Sequence, residues 1–357
     1  MGDYPSRSAS PSAGGPGVTA RHIGSAGNGV SPIPPDDRPP LGGGGALPTK
    51  ARFSMESGFR GLSTAAGAMV LVIIIAIAIF LISKAVPALD ADSENFLFSK
   101  EWFPNENPPR FGIAALAFGT LLTSVIALLV AVPIALGIAL FLSHYAPKRL
   151  ATPLGFIIDL LAAVPSVVFG LWGRDVFSQP VADLSAWLNE YFGRLPIFGG
   201  DGPFGRSILL GSLVLAIMVL PIVTSLSREV FQQTPGMNEE AALALGATKW
   251  EMIRTAVLPY GKPGVIAAVM LGLGRALGET IALALTLGTT FTISFNIVQS
   301  GGNSIAANIA NTFGEATPTG RGALIASGLV LFAITLVVNM AARAIIYRRR
   351  EFRDSAA

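Results

Sequence analysis

The sequence predicts an all-α membrane protein with six transmembrane helices, and three observations carry that expectation. Of 357 residues, 51% are hydrophobic and only 13% charged, against roughly 25% charged residues in soluble globular domains. Several apolar runs reach the roughly 20 residues needed to cross about 30 Å of hydrocarbon. Charged residues gather between those runs rather than within them. Cysteine is absent and the two histidines, His22 and His144, lie far apart, which excludes a disulfide framework and makes a metal centre unexpected.

Residues 1–58 are rich in Pro, Gly and Ser and poor in bulky apolar groups, so this tail is predicted to be disordered. No apolar run opens the chain, and no signal peptide is expected. Residues 59–357 form the membrane domain. Its first span, about 61–88, carries no charge from Gly61 to Ser83. An aqueous segment with Asp90, Asp92, Glu94, Glu101 and Glu106 follows. The second uncharged run, 111–143, exceeds one crossing and contains Pro133; it reads as one long kinked or tilted span, or as two half-spans. The third span, about 150–172, holds Asp159 and Pro165. The carboxylate fits either a hydrogen bond to a neighbouring helix or a place on a solute path. Beyond it, Leu184, Trp187, Leu188, Tyr191 and Leu195 recur at helical spacing, the pattern of an amphipathic piece lying in the membrane interface. A fourth span at 207–226, a loop at 227–262 and a fifth span at 263–287 come next. In the polar segment after them, Ile305, Ile309 and Phe313 predict a short helix. The sixth span, 323–346, closes on Arg348, Arg349, Arg350 and Arg353.

Six crossings put both termini on one side. Lys148, Arg149, Lys249, Arg254, Lys262 and the terminal arginines cluster on that side and outnumber Lys84, Lys100, Arg110 and their like on the other. Positive residues favour the cytoplasm. The expectation is therefore a multi-pass protein of the cytoplasmic membrane with both termini and the 227–262 loop inside.

Within that loop, Glu240-Ala241-Ala242 opens a helix-forming run, Gly246 supplies a turn, and Trp250, Ile253 and Pro259 follow. A helix, a glycine turn and a second short helix fit this order, as does a plain amphipathic hairpin. In the fifth span, Arg275 and Glu279 stand four residues apart and so on one face of a helix. Each mid-span charge costs about 2.5–3.5 kcal/mol on the insertion scale. Small residues recur every fourth position, at Gly264, Ala268, Gly272 and Ala276 and again at Gly274, Gly278 and Ala282, allowing close helix approach. Two readings stay open for the charges. Either they form a buried ion pair that locks packing, or Arg275 presents a fixed positive charge to an oxyanion crossing the bilayer. In the second reading Glu279 holds Arg275 when the path is empty and accepts a proton-bearing oxygen.

Glu240-Ala241-Ala242, Gly246, Ile253 and Leu258-Pro259 resemble the signature loop of ABC-importer permeases. Arg275-Ala-Leu-Gly-Glu279-Thr-Ile281, the run from Pro165 to Gly173 and that from Ala306 to Ala316 are similar to permeases of phosphate-specific uptake systems, of the PstC rather than the PstA type. The resemblance extends from about Arg60 to the carboxyl end. It implies the ABC type I importer permease fold with a coupling-helix loop on the cytoplasmic side. Glu240, Ala241, Ala242 and Gly246 would then couple to an ATPase, and Arg275 and Glu279 would line the substrate pathway. The implied partners are a second, PstA-type permease in a heterodimer, two copies of an ATP-binding subunit, an external phosphate-binding protein and the lipid membrane; no nucleic acid is expected. No phosphate-binding Gly-x-x-x-x-Gly-Lys-Ser/Thr loop occurs, so ATP and Mg are expected on the partner, with no cofactor and no enzyme activity in this chain. Rival readings are import of another oxyanion such as sulfate or molybdate, an ion-gradient-driven transporter, and a membrane scaffold.

Overall fold

In hydrocarbon a backbone must satisfy its own hydrogen bonds, which is why the charge-free runs become helices. The computed structural model describes residues 55–200 and 202–354. Among these, five helices are long and apolar enough to cross a membrane, or six if one bent pair counts as a single span. The expected disordered tail falls outside the described residues except for its last four, which already belong to helix α1, Met55–Ala91. From Ala66 onward the chain packs as one unit. A short hairpin follows α1, with β1, Trp102–Phe103, antiparallel to β2, Arg110–Phe111. Arg110 joins it to the connecting turn by donating to Glu106 (2.8 Å), with Glu101 at 3.3 Å; the Glu106 hydrogen bond first, then these charges, raise the guanidinium pKa above its usual value.

The second run is one uninterrupted helix rather than two halves. Helix α2, Ala114–Leu140, contains Pro133 and continues through a π-helical turn, Phe141–Tyr145. Its buried face repeats small residues every fourth position, at Gly119, Thr123, Ala127, Ala131, Ala135 and Ala139. That stripe lets α2 lie close along α6, Ile208–Gln232, the most buried of the candidate spans. Leu210, Val214, Leu215, Val219 and Val223 of α6 are fully buried and centre the main core.

The third span departs from the expected single helix over 150–172. Helix α3, Lys148–Ala162, stops before Pro165, and the chain resumes as α4, Ser166–Trp172, a π-turn, Gly173–Phe177, and α5, Ser178–Phe192, bent 89° from α3. Pro165 has no N–H to continue the ladder, and it biases Val164 away from helical geometry. Helix α5 contains most of the predicted amphipathic piece. Asp159 accepts from the Ser225 hydroxyl of α6 at 2.6 Å, so this carboxylate ties two helices together. Arg228 lies directly over Gly155, where any Cβ would displace its guanidinium.

The loop after α6 is shorter than the expected 227–262, because α6 runs on to Gln232 and helix resumes at Lys249. It contains α7, Gly236–Ala244, and leads to α8, Lys249–Met252, a π-turn, Ile253–Val257, and α9, Leu258–Leu277. Gly264 and Gly272 of α9 sit against Val230, Val219 and Val223 of α6, so the first predicted small-residue stripe is the α6–α9 contact. The fifth span also breaks: α9 ends at Leu277, Gly278 to Thr280 are non-helical, and α10 covers only Ile281–Thr286. The predicted short helix is α11, Ile305–Thr312, and α12, Pro318–Asp354, ends the described chain.

The 287–303 segment is fastened by isolated strand bridges from Gln299 to Phe204 and from Ser300 to Ser207. Its end touches α2, where the Ile305 N–H donates to the Thr120 hydroxyl at 3.0 Å and a Cβ on Gly119 would overlap the Asn303 carbonyl oxygen. Gly119→Val is expected to cost about 1–3 kcal/mol through overpacking, read as a lowered unfolding temperature in detergent; an unchanged temperature would contradict this close approach.

Candidate functional site

Arg275 lies near the end of α9, outside the buried α6–α9 contact. Ala268, Gly272 and Ala276 are buried against the core, whereas Leu271 and Arg275 are exposed. The second small-residue stripe is not packed at Gly274, which has nothing near its missing Cβ. Gly274 and Arg275 instead line a groove of about 1270 Å³ with residues of α1, α6 and α12. Its walls include Leu71, Ile74, Ile222, Met270 and Met340, and its polar members are Arg275, Asn339 and Arg343. Asn339 and Arg343 stand four residues apart on α12 and share one face. In the sequence Arg343 reads only as a basic residue near a helix end; the Asn-x-x-x-Arg spacing signals a shared face of one helix, and nothing there joins it to Arg275.

Arg275 and Glu279 are not paired. Among the described residues no salt bridge joins them, and the helix that would have placed them on one face ends between them. Glu279 is 7% exposed, and its Oε1 accepts from the Ala282 N–H at 3.1 Å. The carboxylate thus caps the first turn of α10 and helps to restart the helix after Gly278. Neither reading of a direct Arg275–Glu279 contact holds in this structure. The guanidinium remains in an apolar groove with its donors available to an acceptor-rich ligand, a geometry suited to planar or tetrahedral oxyanions.

At the far end of the bundle, Glu240, Ala241 and Ala242 lie on α7. Its C-terminus is closed by a Schellman arrangement, with Ala247 N–H donating to the Ala242 carbonyl and Gly246 N–H to that of Leu243. Gly246 has φ +85°, the left-handed conformation glycine adopts without steric cost. Two residues on, Thr248 starts the next helix through a reciprocal capping box with Glu251. Two short helices therefore meet at a defined corner. Leu245 at its tip is 90% exposed, and Met237 and Trp250 are exposed beside it. Ala241 and Ala242 line a hollow of about 600 Å³ with Thr255, Pro259 and Tyr260. An apolar, protruding corner beside a hollow is a surface prepared for a protein partner.

Two contacts hold this corner to the end of α2. The His144 side chain, 7% exposed, places Nε2 3.4 Å from Glu239 Oε1 and Nδ1 2.7 Å from the Ser143 hydroxyl. Nε2–H donates to the carboxylate, and Nδ1 meets the Ser143 hydroxyl, which also lies 3.2 Å from the Leu140 carbonyl oxygen. On the other flank of Gly246, Lys249 Nζ sits 4.9 Å from the Tyr145 ring centroid, a cation–π distance. Neither contact was legible in the sequence, since the partners of each lie far apart along the chain.

The family model described as binding-protein-dependent transport system inner membrane component matches residues 131–351. The phosphate transport system permease protein PstC 2 of Mycobacterium tuberculosis is 47% identical over 294 residues, covering 80% of this chain and 90% of the relative. The phosphate transport system permease protein PstC of Xylella fastidiosa is 43% identical, covering 81% and 90%. Among solved structures, a bacterial ABC transporter involved in the import of the acidic polysaccharide alginate aligns with TM-score 0.51 and 19% identity, over 80% of this chain and 97% of that one, a likeness of fold alone.

Replacing His144 by Ala should free α7 from the end of α2. A hydrogen bond to a charged group is worth about 1.5–3 kcal/mol, so amide exchange over Gly236–Ala244 is expected to quicken by about tenfold or more. His144→Gln, which keeps a donor, should restore much of the protection; equal exchange in all three proteins would mean the contact holds nothing.

Proposed function

The chain belongs to the inner membrane components of binding-protein-dependent transport systems, and on that premise we propose that it is one permease subunit of an ATP-driven importer of inorganic phosphate. The observation that carries the reading is Arg275, a cation in the apolar groove with no ion-pair partner among the described residues. The cost of holding a charge there is offset when an anion occupies the groove. Asn339 and Arg343 on the facing helix extend the same chemistry along α12. Support for phosphate over other oxyanions comes from the PstC relatives, alike over most of their length.

In this reading the chain supplies half of the pathway, and a second, PstA-type permease closes the open side of the groove. The α7 corner, with Glu240, Ala241, Ala242 and Gly246, docks on one of two ATP-binding subunits, which hold ATP and Mg. An external phosphate-binding protein delivers the anion to the opposite face. Both termini and the α7 corner lie in the cytoplasm, an orientation supported by the basic residues concentrated there. Nucleotide-driven closure of the ATPase pair draws the α7 corners together and opens the path outward; hydrolysis reverses the movement.

Reconstitution with the three partners tests this by phosphate-stimulated ATP hydrolysis and by uptake of labelled phosphate in competition with sulfate and molybdate. Arg275→Ala is expected to lower phosphate uptake by about 100-fold or more while the complex still assembles, as when a charged hydrogen-bonding partner is lost in a dry site; uptake within a few fold of normal would reject the pathway role. Gly246→Pro cannot adopt the left-handed turn and should abolish uptake with the protein still in the membrane. Normal uptake in that variant would reject coupling through this corner.

A further inference from the structure

At the end of the bundle away from α7 lies a third cavity, of about 410 Å³, lined by the β1–β2 turn, the start of the 287–303 segment, α11 and the start of α12. Four side-chain amides, Asn105, Asn303, Asn308 and Asn311, line it together with Thr289 and Glu315. Their carbonyl oxygens are largely committed elsewhere. Asn105 Oδ1 accepts from the Thr317 hydroxyl at 2.8 Å. Asn303 Oδ1 accepts from the Ser304 N–H at 2.9 Å, and Asn308 Oδ1 from Asn303 Nδ2 at 3.5 Å. The amide N–H groups of Asn105 and Asn308 remain as donors. Asn303 and Asn308 are only 4% and 1% exposed, and Asn308 Nδ2 has no hydrogen-bond partner among the described residues. A buried donor left unmade costs about 1–3 kcal/mol, a penalty relieved by a ligand that brings acceptor oxygens.

Glu315 adds the opposite requirement. Glu106, the other carboxylate of the lining, is engaged by Arg110, whereas Glu315 has no ion-pair partner among the described residues. A carboxylate beside neutral donors repels a fully ionised oxyanion and welcomes one that still carries a hydroxyl proton. Hydrogen phosphate at neutral pH offers acceptor oxygens to the amides and a P–OH donor to Glu315; sulfate offers only acceptors. A bare metal cation would find N–H donors where it needs oxygen.

Resting on the phosphate-import reading, we propose that this cavity is a separate receiving site for protonated phosphate, in which Asn308 donates to its oxygens and Glu315 accepts its hydroxyl proton. The anion waits there before it reaches Arg275. The cavity wall includes α11, which packs on α10, and α10 begins at the turn capped by Glu279, so one six-residue helix separates the receiving site from the break in the fifth span. The site gives the permease its own filter against sulfate, independent of the delivering protein.

Binding is tested on the complete permease–ATPase complex in nanodiscs without the external binding protein, probed with labelled inorganic phosphate, and import is measured on the same complex in sealed vesicles with the binding protein supplied. The wild-type complex and its Arg275→Ala variant should bind phosphate saturably, with excess sulfate unable to displace it. Asn308→Asp, which puts an acceptor in place of the donor, should weaken that binding by about tenfold or more and raise the phosphate KM for import more than it lowers the maximal rate. Glu315→Gln should let sulfate compete. Should Asn308→Asp fail to assemble, Thr289→Val and Glu315→Gln carry the same measurements. Unchanged phosphate binding in Asn308→Asp or Thr289→Val, or continued exclusion of sulfate in Glu315→Gln, overturns the proposal. So does a defect confined to the dependence on binding-protein concentration, which would make the cavity a protein-docking surface. Failure of the import reading is distinguishable, because the wild-type complex would then take up no phosphate.

Discussion

Irregular backbone is tolerated at membrane depth only where protein covers it or where it lines a cavity. This chain breaks two of its spans, at Ala163–Pro165 and at Gly278–Thr280, and the pieces that follow the breaks pack on each other. Helix α4 lies against α10 so closely that a Cβ at Gly170 would meet the Ala282 backbone, and one at Gly173 would press on Val214 and Thr286. Around the second break, Glu279 receives the Ala282 N–H, and Arg206 donates to the Ala284 carbonyl at 2.8 Å. The two interruptions are solved jointly, each supplying cover for the other. The end of the bundle away from α7 sits on this paired repair, because it turns the chain away from a straight crossing just beyond Arg275.

The same economy explains why the charges of the fifth span separate. In a continuous helix Arg275 and Glu279 would neutralise each other and leave nothing for a solute. Ending α9 at Leu277 turns the carboxylate towards backbone N–H groups and leaves the guanidinium facing the groove. Half-broken helices whose ends face a solute at mid-membrane are a recurrent device of transport proteins. Here the break separates two opposite charges, giving the carboxylate a capping role and leaving the guanidinium without an ion-pair partner among the described residues.

Much of the architecture could be read from the residues. Runs without charge located the spans because a membrane helix must be apolar all round, and Gly246 between the Glu240–Ala242 run and Pro259 announced a helix corner through chemistry confined to a few positions. The Gly264–Ala268–Gly272–Ala276 stripe pointed to a close helix contact, though its partner, the valine face of α6, could not be named. What escaped the reading depended on distant pairs. Pro165 and Gly278 were visible, but hydropathy continues smoothly across both, and only the mutual packing of α4 and α10 makes a sharp turn affordable there. His144 looked like an isolated histidine at a span end, since Glu239 lies 95 positions away. Asn308 lay in a motif without an evident task until the amide oxygens around it could be traced to their donors.

Helix α2 is hydrogen-bonded at one end to the turn that floors the outer cavity and at the other to the corner that carries Glu240, with a stripe of small residues seated along α6 between them. Close-packed interiors yield little to compression, so a shift imposed at either end is delivered to the other. Thermodynamic linkage then makes the traffic symmetrical. On the proposed reading, if the nucleotide state of the ATPase alters how tightly this cavity holds an anion, filling the cavity must alter nucleotide affinity by an equal factor, and phosphate on the far side of the membrane would become legible to the motor.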